Sequence, residues 1–300
     1  MKLKILMASL LISGSAFAGP IEFTVTHAPG GPSDTTTRLL AKTVGGNEFT
    51  VVNRPGAGGT IAVKHLLTEK TVLVATMSQI YVTNPMLFPN LDYTPDSDLE
   101  LIGVVASMPS VLVCNANKNI NSINDLVASK PLNFGVAGYG SSEHLSTEVL
   151  FKKLKTAHKV IPYSKGGSAA VQDMLGGNID CMFANYPVVS AWVDSNQLKF
   201  IMSSHELGLK IPTWKTSFAE SFPFESYLGL VIARSMHKAD KEVLKAKFTQ
   251  AFGNKELATS LFKAGLFPVL AMDKKAVVAG LYNNTKLKVF ILQNNIKISN

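Results

Sequence analysis

Two kinds of residue grouping in this 300-residue chain could do chemistry. The first is Ser141 and His144 in "GYGSSEHLS", one helical turn apart, a spacing at which a histidine could activate a serine for acyl transfer. The segment is not a G-x-S-x-G nucleophile elbow, and no acid partner or oxyanion loop can be assigned. A secreted hydrolase using Ser141 or Ser142 with His144 is therefore the alternative reading. The second grouping does no covalent chemistry. "HAPGGPSD" (27–34) places Gly30 and Gly31 between an apolar β-branched run and the helical pattern "TTTRLLAKTVG", with Ser33 or Asp34 positioned to cap that helix. A helix N-terminus behind a glycine loop offers unpaired N–H groups and a partial positive charge, which suits a carboxylate or phosphate.

Four further stretches share this build or its position. "NRPGAGGT" (53–60) sits between strand and helix but lacks the third glycine of a dinucleotide fingerprint and has no Walker lysine. "VAGYGSSEHLS" (136–146) and "IPYSKGGSAA" (161–170) repeat the strand–glycine–helix arrangement. In "ATMSQ" (75–79), Thr76 and Ser78 follow an apolar strand, at the end where open α/β sheets hold ligands. No histidine spacing suits a metal, and no cofactor is called for. Anion-friendly loops without a nucleophile or a metal describe a binder better than an enzyme.

Elements able to position these loops are legible as apolar runs: "IEFTVTH", "FTVVN", "TVLVAT", "ELIGVVA", "SVLVCN", "LNFGVAG", "KVIPYS", "IDCMFA", "LKFIMSS" and "YLGLVIA". They are continuous rather than alternating, as in a parallel sheet covered on both faces. Helical patterns at 33–45, 60–69, 122–129, 142–155, 167–176, 187–195, 239–252, 254–265 and 273–287 alternate with them, which predicts an α/β fold. The chain reads as purely helical after residue 236. Glycine loops in two separate regions predict two lobes. If the C-terminal helices pack back on the first lobe, the chain crosses twice, near "SVLVCNA" and "YLGLVIA", making a hinge with a cleft between the lobes. The expected division is 19–112 for lobe one, 113–227 for lobe two and 228–300 for the return.

"MKLKILMASLLISGSAFA" has a basic start (Lys2, Lys4), an apolar core (Ile5 to Ile12) and Ala16-Phe17-Ala18 as a small-x-small site. This predicts a secretory signal over 1–18 and a periplasmic mature chain beginning near Gly19. Formal charge is +8; Lys2 and Lys4 supply two of these, leaving +6 on the mature chain. Without an arginine cluster or basic runs interleaved with aromatics, nucleic acid is not a partner, while a mildly positive field favours small anions. Spacing does not say whether Cys114 and Cys181 meet; because both lie in apolar strand-like runs, they are read as two buried free thiols.

Taken together the motifs resemble the extracytoplasmic solute receptors of tripartite tricarboxylate transporters, the Bug or TctC family. The family's P-G-G-x-x-D-x-x-x-R appears as Pro29-Gly30-Gly31-Pro32-Ser33-Asp34 through Arg38, and its N-[RK]-P-G-A-x-G as Asn53 through Gly59. Its G-x-G-S-x-x-H-L is Gly138 through Leu145, and its V-P-Y…D-L-L-G-G-x-[VI]-D runs from Ile161 to Asp180. The resemblance implies a two-lobed flytrap, acting as a monomer, that captures organic carboxylates for a two-protein membrane permease. It implies ligand contacts at Pro29, Gly30, Gly31 and Ser33 with Thr76 and Ser78 beside them, and at Gly140, Ser141, Tyr163 and Asn185 in the opposing lobe. His27 stands where the family often has an aromatic and is expected to reach the pocket as a further ligand contact, and "KHLLTEKTVLVAT" is shorter than usual, so both bear on substrate preference. Asp34 is expected to serve the helix start and face away from the ligand; the alternative is that it meets a ligand amine.

Overall fold

The computed structural model describes residues 20–45, 48–69, 71–88, 90–163, 165–207, 210–219, 226–272, 288–289 and 291–292. The expected signal segment and the helix expected over 273–287 lie outside the described residues.

All ten apolar runs form strands: β1 (Ile21–Val25), β2 (Phe49–Asn53), β3 (Val72–Thr76), β4 (Leu99–Met108), β5 (Ser110–Asn115), β6 (Asn133–Val136), β7 (Lys159–Pro162), β8 (Cys181–Asn185), β9 (Leu198–Ser203) and β10 (Ser226–Ala233). An eleventh, β11 (Phe267–Ala271), corrects the expectation of a purely helical C-terminal part. The strands make two sheets, ordered β11-β4-β10-β3-β1-β2 and β7-β6-β8-β5-β9. Neither sheet is purely parallel as expected. β10 runs antiparallel to β3 and β4, and β5 antiparallel to β8 and β9. These are the strands next to the crossings: a chain that steps straight into the other sheet arrives without a crossover helix to turn it back.

The first crossing is abrupt. β4 ends at Met108, Pro109 intervenes, and β5 begins at Ser110 in the second sheet. Pro109 cannot donate to either ladder, but its carbonyl accepts the Tyr186 N–H at 2.8 Å. The second crossing runs between Ser203 and Ser226 and carries the short helix Trp214–Phe218. A two-lobed α/β architecture with two crossings therefore holds.

Helices cover both sheets. α1 (Pro32–Gly45), α2 (Thr60–Glu69), α3 (Asn84–Leu87) and α4 (Pro95–Asp98) belong to the first half of the chain. α5 (Ile123–Ala128), α6 (Ser142–Leu154), α7 (Gly167–Leu175) and α8 (Tyr186–Asp194) follow. After the Trp214–Phe218 helix, α9, come α10 (Lys238–Phe252) and α11 (Lys255–Lys263). Both late helices pack on α1, and the Phe248 ring lies 5.9 Å from Phe23 and 6.3 Å from Phe49. The C-terminal helices thus return to the first sheet and bury its apolar face, the dominant stabilising term here.

Cys114 and Cys181 are directly opposed across β5 and β8 and form a disulfide. This corrects the reading of two free thiols. Antiparallel register brings together two residues 67 apart in sequence, and nothing local in either strand encodes it.

Candidate functional site

Four helices start at one cleft between the sheets. Pro32 and Ser33 of α1, Ser142 and Glu143 of α6, Gly167 and Ser168 of α7, and Asn185 at the head of α8 all line it. Each helix follows a parallel-running strand, so each start sits at a strand's C-terminal end, where the loop is free to open toward a ligand. Four helix N-termini concentrate partial positive charge and unpaired N–H groups in one space. His27, Thr76 and Gln79 complete the wall.

Of the residues expected here, His27, Pro29, Gly31, Ser33, Thr76, Ser141 and Asn185 line the cleft. Gly30, Asp34, Ser78, Gly140 and Tyr163 do not, and for most of them other bonds say why. Gly30 donates its N–H to the Asp34 carboxylate at 2.9 Å. Asp34 also accepts from the Arg38 guanidinium at 3.0 Å and from Asn53 Nδ2 at 2.9 Å. Burial alone would raise the Asp34 pKa; the Arg38 bond, the Gly30 N–H and the Asn53 amide outweigh it and hold the carboxyl below its ordinary value. Helix α1 begins at Pro32, so neither Ser33 nor Asp34 is its cap residue. Asp34 instead sits in the first turn and reaches back to the loop before it, as the second half of a capping box does. Gly140 is left-handed (φ +78°) and donates its N–H to His144 Nδ1 at 3.1 Å. Tyr163 donates its hydroxyl to Asp173. Ser78 is buried in the turn after β3.

The hydrolase alternative fails on geometry. Ser141 Oγ is the cap of α6 and accepts the His144 backbone N–H at 3.1 Å, while His144 Nδ1 is occupied by the Gly140 N–H. Burial lowers the His144 pKa to about 4. A neutral, buried imidazole whose ring nitrogen serves a backbone donor does not activate the neighbouring serine.

Sequence reasoning missed Gln79, Glu143, Lys165, Gly166 and Ser168. Lys165 and Gly166 stand inside a glycine loop already singled out, so their type and place were available. Glu143 is the second residue of its helix, where an acid reads as an ordinary first-turn residue that complements the helix dipole. It is buried, and its carboxylate accepts from Asn185 Nδ2 at 2.8 Å and from Ser142 Oγ at 3.1 Å. Burial pushes its pKa up. His27 is held neutral by burial, with Nδ1 2.8 Å from Thr26 Oγ1 and 3.5 Å from Ser33 Oγ. Lys165 is exposed at the rim.

The cleft continues into a second compartment, lined by Pro55, Ala57, Phe88 and Tyr139, which shares His27, Gln79 and Lys165 with the first. The loop "NRPGAGGT" therefore borders the same cleft. Among the described residues there is no group of three or more His, Cys, Asp or Glu placed to hold a metal. No helix among them is long and apolar enough to cross a membrane.

Comparison with known proteins agrees with this architecture. BugT of Bordetella pertussis is 28% identical over 270 residues, spanning 85% of this chain and 82% of that one. A Rhodopseudomonas palustris structure solved with malate, MatC, superposes with a TM-score of 0.79 at 23% identity, covering 91% of this chain and 98% of that one. An R. palustris structure solved with adipate gives 0.86 at 20% identity, covering 94% and 99%. Its relatives of this kind are binding proteins rather than enzymes. The family model described as tripartite tricarboxylate transporter family receptor, TctC, matches residues 35–291, and the chain belongs to that family.

Proposed function

We propose that this protein is a periplasmic receptor that closes its two lobes on a small organic carboxylate and delivers it to a two-protein membrane permease. The observation that carries the reading is the convergence of four helix N-termini, from both halves of the fold, on one cleft. Such a site binds an anion through backbone N–H groups and hydroxyls without needing a cation at its centre. His27, Pro29, Gly31, Ser33 and Thr76 on one side, with Ser141 and Asn185 on the other, are in position to touch the ligand. Relatives solved with adipate and malate support a carboxylate. The basic surplus supports anion capture, and the N-terminal segment supports export. Binding needs only a population shift between open and closed lobes, so a monomer suffices.

The test is titration calorimetry of the purified protein against a panel of mono-, di- and tricarboxylates and amino acids. Saturable heat with at least one member, lost on crowding the α1 loop by Gly31→Val in a variant that melts like the wild type, is the expected result. A panel without any binder sinks the proposal.

A further inference from the structure

Glu143 is an anomaly in an anion site. It is the only acidic side chain lining the cleft among the described residues, and it is buried. A carboxylate there opposes a bound anion and carries a desolvation penalty unless something of opposite charge meets it. Its carboxylate is met by neutral donors: Asn185 Nδ2 at 2.8 Å, Ser142 Oγ at 3.1 Å, the Ser141 hydroxyl and its own backbone N–H. Ser142 is itself served by Ser226 Oγ at 3.0 Å, from the first residue of β10 in the other sheet. Among the described residues no lysine, arginine or histidine forms an ion pair with Glu143. The charged groups that share its cleft are Lys165, exposed at the rim, and His27, held neutral by burial. Of the titratable members of α6 nearby, neutral His144 has its Nε2 3.7 Å from Glu148 instead.

None of these donors carries a charge, so the carboxylate is hydrogen-bonded without being charge-balanced. The hydroxyl chain from Ser226 through Ser142 ends on Glu143 with every donor pointing toward the carboxylate. Burial raises the pKa of the group, as expected of a carboxyl lacking its counter-charge. By contrast Asp34, the acid the sequence placed at the site, has Arg38 and lies outside the cleft.

We propose that Glu143 is a specificity-determining residue that receives a ligand ammonium, so that the cleft takes an amino-substituted carboxylate, its carboxylate at the helix N-termini and its ammonium on Glu143. This rests on the carboxylate-receptor reading and narrows it. The missing counter-charge arrives with the ligand, which removes the desolvation penalty and discriminates against plain dicarboxylates.

The test compares matched pairs by calorimetry: glutamate with glutarate, aspartate with succinate, and γ-aminobutyrate with butyrate. A charge-assisted bond in a buried site predicts that the best amino compound binds about 10- to 100-fold more tightly than its des-amino partner. Glu143→Gln keeps the side-chain volume and an acceptor for Asn185. It should abolish that ratio by weakening the amino compounds while strengthening des-amino binding, without lowering the melting temperature, a pattern that a merely structural role does not produce. Wild-type protein that binds glutarate or succinate as tightly as the amino compounds overturns the proposal while leaving the carboxylate receptor intact. So does a folded Glu143→Gln variant with an unchanged ratio. Failure of all carboxylates, substituted or not, overturns both. The wild-type comparison decides the matter even if the variant does not fold.

Discussion

The backbone N–H of Gly30 points at the carboxylate of Asp34, 2.9 Å away, and not at the cleft. The conspicuous acid of the "PGGPSD" loop is thereby turned inward. Arg38 and Asn53 hold it from the other side, and Asn53 Nδ2 also donates to the His27 carbonyl at 2.9 Å. Asp34 is a brace that shapes the loop, and the loop then presents Gly31 and Ser33 to the cleft.

Asp34→Asn should lower stability by about 1–2 kcal/mol at neutral pH, because charge-assisted bonds become neutral ones. The folded-state pKa lies below the ordinary 3.8, so the contribution is present above that value and lost as pH falls through the folded pKa. Denaturant titrations of both proteins should therefore converge in acid. A variant gap that stays constant down to strongly acidic pH counts against this role.

His144 titrates in the same direction for a different reason. Its folded pKa of about 4 lies below the ordinary 6.5, so protonation favours the unfolded chain. The stabilisation is whole above 6.5 and lost as pH falls from 6.5 through 4, on the order of 3 kcal/mol at the limit. His144→Asn preserves an acceptor for the Gly140 N–H and should flatten melting temperature against pH over that interval. An equal acid slope in the variant contradicts the assignment.

The disulfide predicts that unreduced, denatured protein has no thiol reactive toward a maleimide, and that reduction exposes both cysteines. The double variant Cys114→Ala/Cys181→Ala should lose about 4 kcal/mol, from the entropy of closing a loop of 67 residues. Two reactive thiols before reduction would restore the free-thiol reading.

Lys165 lies exposed at the rim of the cleft, and the proposed receptor role predicts that it aids anion capture only through a screened field. Lys165→Ala should weaken carboxylate binding by no more than about fivefold, and less at high salt. A loss of a hundredfold, or one that salt does not reduce, would mean a direct contact.

The local elements were legible because their causes are local. Apolar β-branched runs make strands wherever they are covered, and Gly-rich loops before amphipathic segments start helices. β11 escaped because "FPVLA" is short, contains proline, and becomes a strand only by pairing with β4, remote in sequence. The same holds for Cys114 and Cys181, whose meeting depends on the register of β5 against β8.

The sequence by itself determined the α/β alternation, the four helix starts and the residue types that could hold an anion. Tertiary structure decided which of those residues share a space. It sent Asp34 and Tyr163 to structural partners, spent His144 on a backbone N–H, and set the unheralded Glu143 inside the cleft. Helix starts follow from residues a few positions apart, whereas a cleft is made by two crossings that bring distant segments together, and burial, which governs what a carboxylate does, exists only once they meet.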